Sequence, residues 1–513
     1  MTEKLAAATR IADGVCMKLA LTVFLVFSAF LRSNAVNYYF KGVQSASSTY
    51  SSFDASLNWT NSSGTATTIQ KTTTSGNTAH VNNSFFVGPG QKMATAGSIN
   101  DANIRYFYCQ SLRFDGTQNN KSLLVLNSQA LQSCPIILGK FGGILFNRGS
   151  SLKGCSIEKT CTIAIDGTTT YDEPALIIPP TLTKEEVDSG VISCAIKGSG
   201  AIRFCHIDRT LTYKSVGLKG DNGGYTGIIK VEGLSDDSKK TYKLYLHHAN
   251  ALGGNPQPFK EKGLELCFAD LYVKEESMTV TANRGVYISG NSSINVDANK
   301  ELTVASPVAF DSTGGGKTLT KTGAGALSFA GRGSGSGTLK VSGEGRVSFE
   351  SDFLLDGNLT VGDTAEISGK PDISLLCNNG GIEGGSKLEL GSGTRLKVAG
   401  SGVLHIGAAH IAPAKGSTLA FHWTDCTKPP QLDYPAGAMD VDASCTAVKV
   451  AITAESGVKP SAGTSRVLTT GGGFAGKTIT VETDLDWAKS CRVDADGNIE
   501  ISQGRRGLVC IVK

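Results

Sequence analysis

The sequence has little of what marks nucleic-acid-binding or helical proteins. Charged residues make up 18% of the 513 residues and the net charge is only +4, so the chain lacks the basic stripe of a nucleic-acid binder. From Met278 onward, amphipathic helical patterns are almost absent, which argues against alternating strands and helices. Glycine is abundant, with 62 residues, well above the level of roughly 7% in average proteins. This composition predicts a β-rich chain with many turns.

Long apolar runs are confined to the N-terminus. The run LALTVFLVFSAF (Leu19 to Phe30) is too short to span a bilayer but has the length of a signal-peptide core. The motif Ser33-Asn34-Ala35 comes shortly after this run. Its small first and third residues are compatible with cleavage by signal peptidase before Val36. We therefore predict a signal peptide over residues 1–35, with Met17 as an alternative start. The mature chain is expected to be soluble or surface-held, and a buried hydrophobic helix is the alternative for this run.

The sequence has no cysteine spacing that is typical of zinc sites, since no CxxC and no suitable Cys/His cluster occurs. Twelve of the 13 cysteines follow the predicted cut, and an oxidising compartment would permit disulfides. Close spacings occur at Cys155/Cys161, Cys194/Cys205, Cys426/Cys445 and Cys491/Cys510. Several cysteines are also in phase with apolar neighbours, as in Ile192-Cys194-Ile196, which suits buried thiols that act as small hydrophobes. Both interpretations stay open.

Short stretches of alternating polarity run through the central and C-terminal chain. Examples are TLKV, RVSF, KLEL and RLKV, and most stretches of this kind are followed by glycine, asparagine, aspartate or serine. A sandwich or propeller would join them by hairpins, whereas a parallel β-helix would stack each strand on its counterpart one coil later. Two-residue hairpin signals are sparse, and recurrent glycines suit corners that need positive φ. The pattern favours an all-β fold of the parallel β-helix (β-solenoid) type.

The stretch GKTLTKTGAGALSFAG (Gly316 to Gly331) has the most specific pattern. It resembles the autotransporter-associated β-strand repeat, whose pattern runs roughly G-x-L-x-K-x-G-x-G-x-L-x-L-x-G. The matching residues are Leu319, Lys321, Gly323, Gly325, Leu327, Phe329 and Gly331. Segments between Gly220 and Gly290 look like those found upstream of this repeat in large exported bacterial proteins. The resemblance implies a right-handed parallel β-helix in an exported or surface protein, and it brings no catalytic residues.

Side-chain directions within this repeat follow from a strand, corner, strand arrangement. The large apolar residues Leu319, Leu327 and Phe329 are expected to point into the coil, and threonine and lysine outward. Gly323 and Gly325 are expected to form the corner, where glycine adopts positive φ without a Cβ clash. The repeat is thus predicted to be a bend with a strand on each side.

Three regions follow from these patterns. Residues 217–435 are predicted to form the parallel β-helix, with the repeat at 315–331. Residues 36–216 are predicted to be irregular β-helix or a cap, with a separate β-sandwich as the alternative. Residues 436–513 are too few for a translocating membrane barrel with many strands of about ten residues. We predict that they form a β cap over the open end of the solenoid.

Three sets of residues suggest a ligand but have simpler explanations. GGGFAGKT (Gly471 to Thr478) matches the phosphate-loop pattern, but a β-branched strand follows where that loop needs a helix, so Lys477 is predicted to be a turn residue. VDADGN (Val493 to Asn498) lacks the distant glutamate of a calcium loop and is predicted to be an Asp-Gly hairpin. The histidines are too scattered to predict a metal site; they are His247, His248, His405, His410 and His422.

Acidic residues are sparse in the central coils, and no two of them form a local catalytic motif. They are Asp297, Glu301, Asp311, Glu344, Glu350, Asp352, Asp356, Asp363 and Glu366. A β-helical polysaccharide lyase or glycosidase remains the alternative function, on the analogy of fold alone.

The function predicted from the sequence is an exported, non-enzymatic β-solenoid with a structural or adhesive role. It is expected at the cell surface, in the periplasm or outside the cell. Glycans or cell-surface components are the candidate partners, and no nucleic acid is expected. No catalytic, cofactor-binding or metal-binding residues and no cofactor are predicted.

Overall fold

The fold is that of a computed structural model, in which every regular element of the described residues is a β-strand. The predicted signal peptide over residues 1–35 lies outside the described residues. The described residues are 37–40, 51–52, 59–61, 66–67, 84–88, 91–94, 105–106, 111–127, 130–132, 134–147, 155–179, 189–206, 215–237, 240–313, 315–362, 364–376, 387–408, 410–434, 447–469 and 474–504.

Two of the four sheets in this part of the chain are shorter and occupy different halves of it. Sheet I contains Asn37–Phe40, Trp59–Asn61, Ala66–Thr67, Ser84–Val87, Ser111–Phe114, Pro135–Leu138, Thr162–Ile165 and Ala195–Gly198. Sheet IV contains Met278–Val280, Glu301–Val304, Ala326–Phe329, Arg346–Phe349, Glu366–Gly369, Arg395–Ala399, Thr418–Trp423, Ala447–Ala454 and Thr478–Glu482.

The other two sheets run through most of the described chain. Sheet II contains Arg105–Tyr106, Ala130–Gln132, Cys155–Ile157, Gly190–Ile192, Ser215–Leu218, Tyr242–Leu246, Ala269–Val273, Ser292–Val296, Thr318–Thr322, Thr338–Val341, Leu359–Val361, Lys387–Leu390 and His410–Pro413. Sheet III contains Ser51–Ser52, Lys92–Ala94, Ser122–Asn127, Gly142–Asn147, Ala175–Ile178, Ile202–Phe204, Ile229–Glu232, Lys260–Cys267, Arg284–Ile288, Val308–Phe310, Gly333–Gly335, Phe353–Leu355, Ile373–Leu375, Gly402–Ile406, Pro430–Asp433, Gly463–Thr469, Ala488–Val493 and Ile499–Gln503.

Most neighbouring strands pair in parallel and in register, so side chains stack in columns. In sheet I, Trp59–Asn61 pairs antiparallel with both Asn37–Phe40 and Ala66–Thr67. One inward column of sheet IV passes through Leu302, Leu327, Val347, Ile367 and Leu396. All five are buried in a single hydrophobic core that extends from coil to coil. Strands that pair with the next turn of the chain, at a spacing of about 4.8 Å, are the defining feature of a β-solenoid. The predicted parallel β-helix is confirmed.

From Arg105–Tyr106 to Pro430–Asp433 each coil follows a fixed order, and two of these coils depart from it. A strand of sheet II is followed by one of sheet I or sheet IV and then by one of sheet III. Between Ala195–Gly198, the last strand of sheet I, and Met278–Val280, the first of sheet IV, this middle position is occupied by the loops 219–228 and 247–259. An isolated bridge from Gly198 to Tyr225 is the remaining pairing there within the described residues.

Two buried polar side chains hold these loops in place. Asn222 replaces a strand partner, since its Oδ1 accepts the Ile196 amide at 2.8 Å and its Nδ2 donates to the Ala251 carbonyl at 2.8 Å. The Arg284 guanidinium is fully buried. It donates to four carbonyls, those of Gly227, Gly263, Tyr225 and Gly254. Burial lowers the pKa of Arg284, and the carbonyl acceptors compensate for the absence of a carboxylate.

The C-terminal strands change direction. Ile499–Gln503 pairs antiparallel with both Gly463–Thr469 and Ala488–Val493. The turn between the last two strands is the predicted Asp-Gly hairpin: Asp494 Oδ1 accepts the Asp496 and Asn498 amides at 3.0 and 2.8 Å, and Gly497 has a φ of 77°. These carboxylate contacts are internal to the turn. The role of residues 436–513 as a cap, like the other regional boundaries, remains a prediction.

The repeat at 315–331 forms the predicted bend. Its strands are Thr318–Thr322 and Ala326–Phe329, and Gly323 lies between them with a φ of 77°. A Cβ at Gly325 would come within 2.2 Å of the Asp297 carbonyl oxygen, so only glycine lets the neighbouring coil approach this closely. The inward direction predicted for the apolar side chains agrees with their burial.

The prediction that Lys321 points outward is wrong. Its side chain is fully buried, in a column between Ile294 and Val341 of the neighbouring coils. Its Nζ donates to the carbonyls of Thr322 and Gly323, both at 2.8 Å, and thereby closes the corner. The strand alternation that sends Leu319 inward also sends Lys321 inward, two residues later. Alternation therefore overrides the polarity of the side chain.

Replacing Leu327 should be far more damaging than replacing Lys477. Leu327→Asp would put an unpaired carboxylate into the inward column of sheet IV and should lower the free energy of unfolding by several kcal/mol. Lys477 lies in a turn, partly exposed, and Lys477→Ala should change stability by no more than about 0.5 kcal/mol. Thermal unfolding of both variants measures this. Equal shifts in Tm would contradict the inward assignment.

Lys321 should make stability depend on pH. Burial lowers the pKa of Lys321 to about 8 in the folded chain, whereas the unfolded value is about 10.4. Between these values the unfolded state binds more protons, so the free energy of unfolding should rise with pH. Compared with Lys321→Met, wild type should gain on the order of a few kcal/mol from pH 7 to 10.5.

The control for this titration is Lys340→Met, because Lys340 is exposed on the outer face of the next coil. Chemical denaturation at several pH values would measure the free energy of unfolding of wild type, Lys321→Met and Lys340→Met. If wild type and Lys321→Met keep a constant difference in stability over this range, the ammonium group of Lys321 is not the titrating group.

Candidate functional site

Sheet IV has a column of hydroxyl side chains on its outer face, which we call the hydroxyl ladder. It consists of Thr279, Thr303, Ser328, Ser348 and Ser368, which are register partners on five successive coils. Each of them lies between two buried residues on its own strand. Thr279 is exposed, Ser328 is covered and the others are partly exposed. The ladder follows from the same alternation that builds the core.

A column of charged residues runs beside the hydroxyl ladder. In register order it contains Glu301, Ala326, Arg346, Glu366, Arg395, Thr418 and Lys449. The charges alternate in sign from Glu301 to Arg395, but their contacts are long: Arg395 lies 3.9 Å from Glu366 and 4.0 Å from Glu482. Exposed pairs of this kind contribute little stability. The column leaves charged groups of both signs next to the ladder.

A groove of about 260 Å³ lies where the hydroxyl ladder begins. Its lining residues come from the loop 247–259 and from the first two strands of sheet IV and their flanks. They are Ala249, Asn250, Ser277, Met278, Thr279, Thr281, Glu301 and Thr303. Most of these side chains carry a hydroxyl, amide or carboxylate group. The groove therefore offers hydrogen-bond donors and acceptors, with Glu301 as its one carboxylate.

The loop that forms one side of the groove is fastened by several hydrogen bonds. Glu276 accepts the Ala249 amide at 2.7 Å, and Thr281 Oγ1 donates to the Gly254 carbonyl at 3.3 Å. His247 Nδ1 lies 2.9 Å from Glu275 Oε1. Arg284 holds the same loop from inside the coil through Gly254. The wall of the groove is therefore tied both to residues that flank the first strand of sheet IV and to the core.

A second group of polar residues, which we call the Glu265 network, lies on the outer face of sheet III. Glu265 is almost fully buried. Its two oxygens accept the Tyr171 hydroxyl at 2.5 Å and the Ser289 hydroxyl at 2.7 Å. Lys230 Nζ lies 3.3 Å from Glu265 Oε1 and 3.5 Å from Glu232 Oε1. Side chains far apart in the sequence thus converge on one carboxylate.

The electrostatics of the Glu265 network favour a structural role. Burial and the hydrogen bond to Glu265 raise the pKa of Tyr171. Burial lowers the pKa of Lys230, but the carboxylates of Glu265 and Glu232 outweigh it, and the net pKa is raised. Both groups therefore hold their protons near neutral pH and are poor bases for a lyase reaction. We interpret the network as a structural contact that holds Tyr171 against sheet III.

Residues that suggested a ligand in the sequence lie apart from these sites. Lys477 is in a turn, where its amide donates to the Phe474 carbonyl at 3.0 Å, and the strand Thr478–Glu482 follows as predicted. The glycines 471–473 of that motif lie outside the described residues. In the motif VDADGN, the Asn498 side chain donates a hydrogen bond to the Asp494 carboxylate, and this bond is the main cause of the lowered pKa of Asp494.

The histidines lie in separate local contacts. His405 Nδ1 is 3.1 Å from Asp433 Oδ2, and His422 Nδ1 is 2.9 Å from Thr453 Oγ1. His248 Nδ1 accepts the Asn250 amide at 3.1 Å. The side chain of His410 is outside the described residues. Over the described part of the chain, no three His, Cys, Asp or Glu side chains are arranged to hold a metal ion.

The acidic residues of the central coils have individual, local partners. Lys274 Nζ lies 3.0 Å from Asp297, and Lys370 Nζ lies 3.2 Å from Glu350. Asp311 accepts the Thr313 amide, which is the main cause of its lowered pKa. Asp363 lies outside the described residues. Of this set, Glu301 alone lines the groove.

Comparisons with known proteins add little. The chain matches no protein-family profile and no curated protein. It is similar to the crystal structure of the Haemophilus influenzae Hap adhesin at 9% sequence identity and a TM-score of 0.18, over 92% of this chain and 71% of that one. A similarity this weak supports no inference about function. The described residues contain no helix that could cross a membrane.

Proposed function

We propose that this protein is an exported, non-enzymatic β-solenoid that binds an extended glycan along the hydroxyl ladder. The observation that carries the proposal is a stack of hydroxyl side chains in register, of which all but Ser328 are at least partly exposed, beside a polar groove. Each hydroxyl can both donate and accept a hydrogen bond, as the hydroxyls of a sugar can. A ligand with repeated hydroxyl groups can therefore make the same weak contact on several coils.

The length of the ladder favours a polymer over a small ligand. Five coils at about 4.8 Å span roughly 19 Å. The groove holds only one end of this span, because its lining stops at Thr303. Single hydrogen bonds contribute only about 1 kcal/mol, so useful affinity requires several of them. An adhesive or structural surface role follows from such repeated contacts.

An enzyme of the polysaccharide lyase or glycosidase type is the second candidate. The observation that favours it is the pair of glutamates in the Glu265 network, since both contact Lys230. Against it, Glu265 is almost fully buried and its oxygens are already hydrogen-bonded. A catalytic carboxylate must reach a glycosidic oxygen or a sugar carbon. The structural role explains the network without a substrate.

Removing ladder hydroxyls should weaken glycan binding. The double variant Thr303→Val/Ser348→Ala keeps side-chain volume nearly constant and removes two hydroxyls. We expect at least a tenfold loss of affinity, on the order of two lost hydrogen bonds. The matched control is Thr320→Val/Thr360→Val, which removes two hydroxyls from the outer face of sheet II. Titration calorimetry with a glycan selected from an array would measure the affinities.

Two results would overturn the glycan proposal. One is equal affinity of the ladder variant, the control variant and wild type for the selected glycan. The other is turnover: assays for reducing ends and for unsaturated products on uronate-containing and neutral glycans should show none. If turnover were observed and Glu265→Gln abolished it, the enzyme would become the leading candidate function.

Export should remove the N-terminal apolar run. The expected mature protein begins at Val36, because the run and the small residues after it have the features that signal peptidase requires. N-terminal sequencing of protein recovered outside the cytoplasm would show the cut. Recovery of an intact Met1 or Met17 terminus from exported protein would contradict it.

A further inference from the structure

Three cysteines lie in one column at the corner that leads into sheet I. Cys134, Cys161 and Cys194 each immediately precede a strand of that sheet, and the first residues of those strands are register partners on successive coils. In the next coil the equivalent corner holds Gly220, where an added Cβ would meet the Cys194 carbonyl at 2.0 Å. The column therefore ends at Cys194 on that side.

The three side chains are buried in the same hydrophobic core and approach one another. Cys161 Sγ lies 3.4 Å from the Cys134 amide nitrogen and 3.3 Å from the Leu131 carbonyl. Burial raises the pKa of Cys194, and the neighbouring Cys161 raises it further. The pairs suggested by sequence spacing are different. Cys155, for example, is the first residue of a sheet II strand and donates to the Leu126 carbonyl at 3.2 Å.

Coil spacing decides which of these thiols can be joined. Adjacent coils are about 4.8 Å apart, within the Cα separation of roughly 4.4–6.8 Å that a disulfide spans. Cys134 and Cys194 are two coils apart, at roughly 9.6 Å, which a disulfide cannot bridge. Cys161 is the middle member. Any disulfide within the column must include it.

We propose that the column is a disulfide site in which Cys161 pairs with Cys134 or Cys194 and the remaining thiol stays reduced. The two thiols lose their protons and two electrons as the Sγ–Sγ bond forms. A disulfide oxidant, such as oxidised glutathione, accepts the electrons as its own S–S bond breaks to give two thiols. The bond forms while the coils assemble, since the folded column is closed to solvent. It links one coil covalently to the next.

Peptide mapping tests this directly. The chain from Val36 onward is refolded with oxidised and reduced glutathione, alkylated under denaturing conditions without further reductant, and digested. Mass spectrometry should show a peptide pair joined through Cys161, and adding reductant before alkylation should remove it. Recovery of Cys134, Cys161 and Cys194 all alkylated would overturn the proposal, as would a crosslink between Cys134 and Cys194.

Single serine variants make the role of the middle thiol specific. Cys161→Ser should abolish the crosslinks within the column. Cys134→Ser should leave Cys161 joined to Cys194, and Cys194→Ser should leave Cys134 joined to Cys161. Cys267→Ser, outside the column, is the control and should change nothing. Persistence of a crosslink between Cys134 and Cys194 in Cys161→Ser would contradict the geometry, and the wild-type map decides the question even if a variant fails to fold.

Discussion

The structure depends on one constraint: each coil must stack its inward side chains on those of the next coil in register. Backbone hydrogen bonds join coils to one another, so no single coil is stable alone. A column such as Leu302, Leu327 and Val347 is buried only because its neighbours above and below are present. A charged group that enters the core needs hydrogen bonds in place of the lost water. Lys321 and Arg284 meet this condition through carbonyl groups.

The same constraint determines the outer surface. Side chains alternate along a strand, so every inward column of sheet IV has an outward column beside it at the same spacing. Serine and threonine recur at the outward position in MTV, LTV, ALSF, RVSF and EISG, and the result is the hydroxyl ladder. A regular core thus produces a regular outer surface. Catalysis needs the opposite arrangement, in which a few unlike groups converge in a pocket.

Local sequence patterns predict local geometry, but they do not predict which residues from distant parts of the chain come into contact. Alternation and glycine corners predicted the solenoid, the bend at Gly323 and the hairpin after Asp494. The outward prediction for Lys321 fails because its position in the alternation, and not its polarity, determines which way its side chain points. The Glu265 network joins Tyr171 to a residue 94 positions later, and the length of the coil between two stacked positions varies. No local pattern fixes which residues of distant coils become neighbours. For the same reason, the spacing of the cysteines in the sequence does not indicate which of them stack in the column.

The interruption between sheets I and IV limits where an extended ligand can lie. Within the described residues, the coil before Thr279 has the loop 247–259 where the hydroxyl ladder would otherwise continue. Ala249 and Asn250 of that loop line the end of the groove. Arg284 fixes the loop from inside, through the Gly254 carbonyl. A buried guanidinium that completes the core therefore also fixes the end wall of the surface site. On the proposed glycan-binding surface, a polymer would meet this wall at one end and the partly exposed Ser348 and Ser368 toward the other.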